Sequence, residues 1–263
     1  DRSRGLGDVY KRQTVYGGPM YYISKGLKDR GFQFFGKIAA VLFAIFCIGG
    51  SFGGGNAAQS NQATIVLKDL MGLESTAAGA IIGCIIAVIV GIIIIGGIKR
   101  IANVTEKVVP FMALMYLLAC LYIILSNFSF IDDAVRLIIS EAFNPTAVGV
   151  GSVIGVLLVG FKRAAFSNEA GAGSASIAHS AVKTKYAASE GLVALLEPFI
   201  DTVVICTMTA LVIIIFNFGG YFEYGGDGGM VYIDGVGYEG AGITSKAFAQ
   251  YIPFSNVFLT IAV

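Results

Sequence analysis

The sequence predicts an all-α integral membrane protein, and three observations carry that reading. Of its 263 residues, 56% are hydrophobic and 13% charged, with a mean hydropathy of +0.79; soluble domains run to about 45–50% apolar and about 25% charged. Apolar runs of about 20 residues, the length that crosses a bilayer, recur along the chain. The connections between them alternate between basic and non-basic, as in a chain that weaves through a membrane. The same arithmetic excludes a soluble globule, a disordered segment and a collagen-like fibre. A net charge of +1 gives no electrostatic reason to expect a nucleic-acid partner. Cys47, Cys84, Cys120 and Cys206 each lie in an apolar run without a CxxC pair, so they read as packed free thiols rather than as a metal site or disulfide. With one histidine and no tryptophan, the chain is not expected to be an enzyme or to hold a resident cofactor.

The elements follow in chain order. Residues 1–13 (DRSRGLGDVYKRQ) have neither apolar periodicity nor the apolar core of a signal peptide. They are expected to be a non-native or disordered tail before a truncated transmembrane domain over 14–263. Predicted spans are Ile38–Val66, Ala77–Ile98, Val104–Leu125 and Leu192–Phe216, with a further one beginning near Ala247. The segment before the first span carries Lys25, Lys28, Arg30 and Lys37, while Leu67–Thr76 has only Lys68. Lys99, Arg100 and Lys107 flank the next connection; Asn127–Thr146 has only Arg136, beside Asp132, Asp133 and Glu141. Lys183 and Lys185 precede the fourth span, and Asn217–Ser245 has acids but no base. The first span therefore runs from inside to outside.

That alternation constrains the segment Ala147–Ala181, which must cross an odd number of times. As one straight helix it would reach about 52 Å at 1.5 Å per residue, against a hydrocarbon core about 30 Å thick. Three crossings do not fit, so one long, tilted or interrupted crossing is expected. Between Phe130 and Phe143, apolar residues recur at helical spacing among charges, which predicts an amphipathic helix at the outer surface. The Gly-, Tyr- and Asp-rich connection Asn217–Thr244 reads as a solvated loop or lid, in which the alternating MVYID stretch suits a short hairpin.

Three places hold polar groups where a membrane helix has little use for them. In GFKRAAFSNEAGAGSASIAHSAVKT, Gly160–Thr184, Asn168 and Glu169 precede Gly171, Gly173, Ser174 and Ser176. Glycines make a helix easy to open, and opened backbone survives at membrane depth only inside protein or along a wet cavity. Small-residue helix packing explains a stripe of Ala170, Ser174 and Ala178 but not Asn168 and Glu169. In GGSFGGGNAAQSNQ, Gly49–Gln62, the polar groups suit either interhelical hydrogen bonding or, best at Gln59, contact with a substrate. Glu197 and Asp201, four apart on one helix face, suit a structural or gating ion pair with Lys162, Arg163, Lys183 or Lys185. Thr202, Thr207 and Thr209 offer hydroxyls, although membrane threonines commonly bond their own helix. His179 reads as a satisfied interfacial histidine.

YGGPMYYI (Tyr16–Ile23), FSNEAGAGSASIAHSAVKT (Phe166–Thr184) and EGLVALLEPFIDTVVICTMTALVII (Glu190–Ile214) resemble the alanine/glycine:cation symporter family, also called sodium:alanine symporters. The resemblance covers Val15–Val263. It implies a leucine-transporter-like fold of two inverted five-helix repeats, in which this chain supplies a partial bundle, core helices three to eight. The sixth core helix of that fold is broken and runs from outside to inside, which matches the direction derived for Ala147–Ala181. By this resemblance Phe166, Ser167, Asn168, Glu169, Gly171 and Gly173 are expected to contact substrate, and Gln59 joins them from the third core helix. Ala172 stands where the family often has a larger apolar residue. The family's GTGN-like motif of the first core helix is absent, so no sodium ligands are assigned.

The expected function is therefore sodium-coupled symport of a small neutral amino acid, alanine or glycine, by alternating access. The protein would be a multi-pass protein of the plasma membrane, acting as part of a longer parent, with Na+ or H+ as coupling ion. A cation or amino-acid channel, or a bundle with no transport role, are the alternatives.

Overall fold

The computed structural model describes residues 17–73, 75–143, 157–158, 160–161, 168–169, 173–180, 182, 184, 186–224, 231–253 and 255. They are predominantly helical, and four helical runs are long and apolar enough to cross a membrane: Gln33–Met71, Thr76–Ile95, Gly97–Ser126 and Ala188–Asn217. These coincide with the four complete spans predicted above. The expected tail at 1–13 lies outside the described residues. Two compact units divide the chain, one of 1–56 with 145–206 and the other of 57–144 with 207–263.

In the first unit, α1 (Pro19–Asp29) is followed by α2 (Gln33–Gly50). Pro19 sits at the start of α1, where its missing N–H costs nothing. The helix ends at Gly31, φ +86, with Phe32 N–H donating to Leu27 O and Gly31 N–H to Lys28 O, the paired bonds of a Schellman terminus that glycine permits. The chain then turns back so closely that a Cβ on Gly36 would lie 2.9 Å from Leu27 Cβ and 3.2 Å from Ser24 O. Gly36 and Ala40 are buried on α2, whereas Phe35, Ile38, Val41, Leu42, Ile45 and Phe46 are exposed, as lipid-facing side chains are in a membrane helix.

A π-helical segment, Ser51–Ala57, follows α2 and contains the three successive glycines 53–55, which give up α-geometry at little steric cost. The later part of the unit comprises α7 (Ala175–His179), α8 (Ala187–Ala194), a short helical turn at Leu196–Pro198 and a second π-helical segment, Phe199–Cys206. Pro198 has no backbone N–H, so the α-ladder is already interrupted where this segment begins.

The second unit opens with α3 (Ala58–Met71), α4 (Thr76–Ile95) and α5 (Gly97–Ser126). The Ser75 hydroxyl caps α4, accepting from Ala78 N–H at 3.1 Å. Gly79 faces α3, where a Cβ would stand in ordinary contact, 3.7 Å from Thr64 Cγ2. α5 begins seven residues earlier than its predicted apolar core, so Lys99, Arg100 and Lys107 lie on helix; the turn needed before them is made at Gly97, φ +71. The expected amphipathic helix is α6 (Ile131–Ala142), with Ala134 buried and Asp132 and Asp133 exposed.

After α9 (Thr207–Asn217), three short antiparallel strands form in the order β1 (Glu223–Tyr224), β2 (Val231–Ile233) and β3 (Val236–Tyr238). The β2–β3 connection is Asp234–Gly235, at φ +53 and +77, the left-handed pair that suits a two-residue hairpin. The expected MVYID hairpin is thus present, and α10 (Ala241–Tyr251) follows it. Its core gathers Cys120, Ile123, Val212, Ile215, Phe216, Ile233 and Phe248. Tyr116 OH and Thr209 Oγ1, 2.6 Å apart, join α5 to α9 at its edge, and the Tyr116 ring lies 5.5 Å from that of Phe248.

Burial distinguishes packing residues from lipid-facing ones. Phe248→Ala, at 0% exposure, is expected to destabilise the protein by about 3 kcal/mol, the cost of a cavity in a packed core. Phe46→Ala, at 71% exposure, is expected to leave the thermal midpoint in detergent unchanged. Equal shifts for the two variants would contradict this assignment of faces.

Candidate functional site

In the glycine-rich stretch after Asn168, the described backbone departs from helix at Gly173 and Ser174. Gly173 has φ +80 and its N–H donates to Glu169 O at 2.9 Å, the bond pattern of a left-handed helix terminus. Helix resumes only at Ala175. Glu169 serves both sides of the interruption, because its carboxylate also accepts from the Ser174 hydroxyl. The Phe43 ring of α2 backs the turn: a Cβ on Gly173 would stand 3.5 Å from Phe43 Cε2. Gly18 meets the following helix, where its Cβ would lie 2.7 Å from Ile177 Cγ1. This close approach gives the YGGPMYYI motif a physical role.

Beside the turn, Asn168 Nδ2 donates to Thr202 Oγ1 of the second π-helical segment at 3.0 Å. An amide, a carboxylate and two hydroxyls therefore meet at one interrupted stretch of backbone, a set with both donors and acceptors for a zwitterion. The Ser176 hydroxyl is buried with no hydrogen-bond partner among the described residues. Of the expected site residues, Asn168, Glu169 and Gly173 come together here. Phe166, Ser167 and Gly171 lie outside the described residues. Gln59 belongs to the other unit, exposed in the first turn of α3.

Gln62 rather than Gln59 makes the interhelical bond expected of this polar stretch, accepting from Ala241 N–H at 2.9 Å where α10 begins. Gly240 stands there at φ +57, a left-handed conformation that favours glycine. Sequence alone gave no reason to prefer one glutamine over the other. Thr202 and Thr209 make bonds to other elements, and Thr64 and Thr105 bond carbonyls of their own helices.

Beyond the interruption, His179 Nδ1 lies 2.6 Å from Glu190 Oε1, and Nε2 lies 3.7 Å from Glu197 Oε2. The interfacial histidine is thus satisfied by carboxylates. Glu197 has an imidazole beside it; Lys162, Arg163, Lys183 and Lys185, its expected partners, lie outside the described residues. Glu190, 7% exposed, was not singled out by its sequence position, eleven residues from the histidine. His179→Ala strands this buried carboxylate and is expected to cost about 3 kcal/mol. Glu190→Gln is expected to recover part of that loss in the double variant, read as thermal midpoints in a mutant cycle; additive losses would show that the two residues are uncoupled.

A sequence profile of the Sodium:alanine symporter family matches residues 4–263. The chain is 38% identical over 247 residues to Sodium/alanine symporter AgcS of Methanococcus maripaludis, covering 93% of this chain and 50% of that protein. It is 34% identical over 263 residues to the Putative sodium/proton-dependent alanine carrier protein YrbD of Bacillus subtilis, covering 98% and 51%. Probable sodium/glutamine symporter GlnT of Bacillus subtilis is 34% identical over 213 residues, covering 80% and 42%. The chain spans about half the length of the curated relatives it matches. The family is one of membrane symporters and not of enzymes. With its long apolar helices, its helix interruption at Gly173 and a match along nearly its whole length, the chain belongs to the sodium:alanine symporter family.

Proposed function

We propose that the protein acts in sodium-coupled symport of a small neutral amino acid, alanine or glycine, across the plasma membrane. The observation that carries this reading is the interruption at Gly173, with Asn168, Glu169, Ser174 and Thr202 gathered beside it. A zwitterion brings an ammonium that a carboxylate and carbonyls accept, and a carboxylate that amides and hydroxyls donate to. Polar and charged groups in a membrane crossing are costly and by default mark a substrate path. Glycine at the turn lets backbone approach closely, which suits a substrate with a small side chain.

The names of the relatives support the same reading: AgcS is a sodium/alanine symporter and YrbD a putative sodium/proton-dependent alanine carrier. GlnT is a probable sodium/glutamine symporter, so relatives differ in the substrate their names give. In the proposed mechanism the described spans belong to a leucine-transporter-like bundle as core helices three to eight, and Gln59, Phe166, Ser167 and Gly171 complete the substrate contacts. The cation gradient drives alternating access, with one bundle rocking against the rest around the site.

Uptake of labelled alanine into proteoliposomes holding the longer parent protein tests the proposal; the 263-residue chain alone is expected not to transport. Saturable uptake that requires an inward sodium gradient is expected. Asn168→Ala and Glu169→Gln are each expected to lower it by about tenfold or more, the loss that follows when a binding group is removed from a desolvated site. Unsaturable, voltage-driven flux would favour a channel, and unchanged uptake in both variants would remove the interruption from the mechanism.

A further inference from the structure

Thr202 stands at the middle of the 30-residue helical run Ala188–Asn217, so half of a membrane crossing lies on either side of it. At that depth a polar side chain without a partner is costly, and a threonine ordinarily meets the cost by bonding a carbonyl of its own helix. Thr202 also reaches beyond its own helix, accepting from Asn168 Nδ2 at 3.0 Å, on a segment 34 residues earlier in the chain. Phe199–Cys206 is wound as a π-helix, with bonds closing i→i+5, and such segments recur at functional sites. Thr202 lies within this wider-wound segment.

We propose that Thr202 is a positioning residue for amino-acid binding: its hydroxyl, on the π-helical segment, holds the Asn168 amide in the orientation that receives substrate. The inference rests on the symport reading and deepens it by coupling the crossing Ala188–Asn217 to the glycine interruption. Asn168 and Glu169 are adjacent, and Glu169 is held by Gly173 N–H and the Ser174 hydroxyl. Thr202 supplies the corresponding anchor for Asn168, so both polar side chains at the interruption are fixed before substrate arrives. Such pre-organisation lowers the ordering cost of binding.

The test compares Thr202→Val, which keeps the shape and removes the hydroxyl, with Thr202→Ser, which keeps the hydroxyl. In sodium-driven alanine uptake by the reconstituted parent protein, Thr202→Val is expected to raise KM about three- to tenfold, the span of measured interhelical hydrogen bonds, with little change in kcat. Thr202→Ser is expected to restore the wild-type KM, and Thr202→Val to add nothing in an Asn168→Ala background. Thermal midpoints of each purified variant separate loss of fold from loss of positioning, and Thr202→Ala replaces the valine variant if that one does not fold. A wild-type KM in a folded hydroxyl-free variant, with Asn168→Ala defective, would overturn the inference and leave the symport reading standing. Full uptake by Asn168→Ala would also overturn the inference, since no amide orientation would then matter, whereas absence of sodium-dependent uptake by the wild-type protein would overturn the symport reading itself.

Discussion

Backbone amides and carbonyls have no water to turn to inside a bilayer, so a membrane helix can be opened only where protein groups take up its hydrogen bonds. Around Gly173 that substitution is visible atom by atom. The Glu169 carbonyl receives the Gly173 N–H and its carboxylate receives the Ser174 hydroxyl, while Phe43 closes the space behind the glycine. Asn168, next in line, is held through its side chain by Thr202. A glycine without a Cβ, a carboxylate with spare acceptors and two hydroxyls are together what allow the chain to stop and restart a helix here. Side chains that stabilise the interruption are also those with the chemistry to hold a zwitterion.

The two units meet the demands of a membrane differently. In the first, contacts at glycine bring elements together: Gly36 admits Leu27, Gly18 admits Ile177 and Gly173 admits Phe43. Dispersion between closely spaced backbones substitutes for a hydrophobic drive that lipid removes. In the second, large side chains form a packed core that includes a β-strand residue, Ile233, and polar handles fix its edges, Tyr116 to Thr209 and Gln62 to the start of α10.

Much of this was legible in the sequence, for physical reasons that also define where legibility ends. Spans are set by length and apolarity, so Thr76–Ile95 and its neighbours could be read directly. Helical spacing marked Ile131–Ala142, and the alternating MVYID stretch marked the hairpin. The start of α5 was missed because charges outside the membrane do not end a helix; glycine did, at Gly97. Gln62 and Glu190 were missed because their roles depend on distant residues, Ala241 and His179, to which no local period points. The π-helical winding of Phe199–Cys206 had only Pro198 as its signal. Phe166, Ser167 and Gly171, named by resemblance, belong to the stretch outside the described residues.

Amide hydrogen exchange across residues 166–176 of the reconstituted parent protein, with and without alanine in sodium, tests most directly whether this opened backbone is the substrate site. The account predicts that amides around Gly173 slow when alanine and sodium are both present and not with sodium alone. Saturable alanine binding with no change in exchange anywhere in that stretch would contradict it.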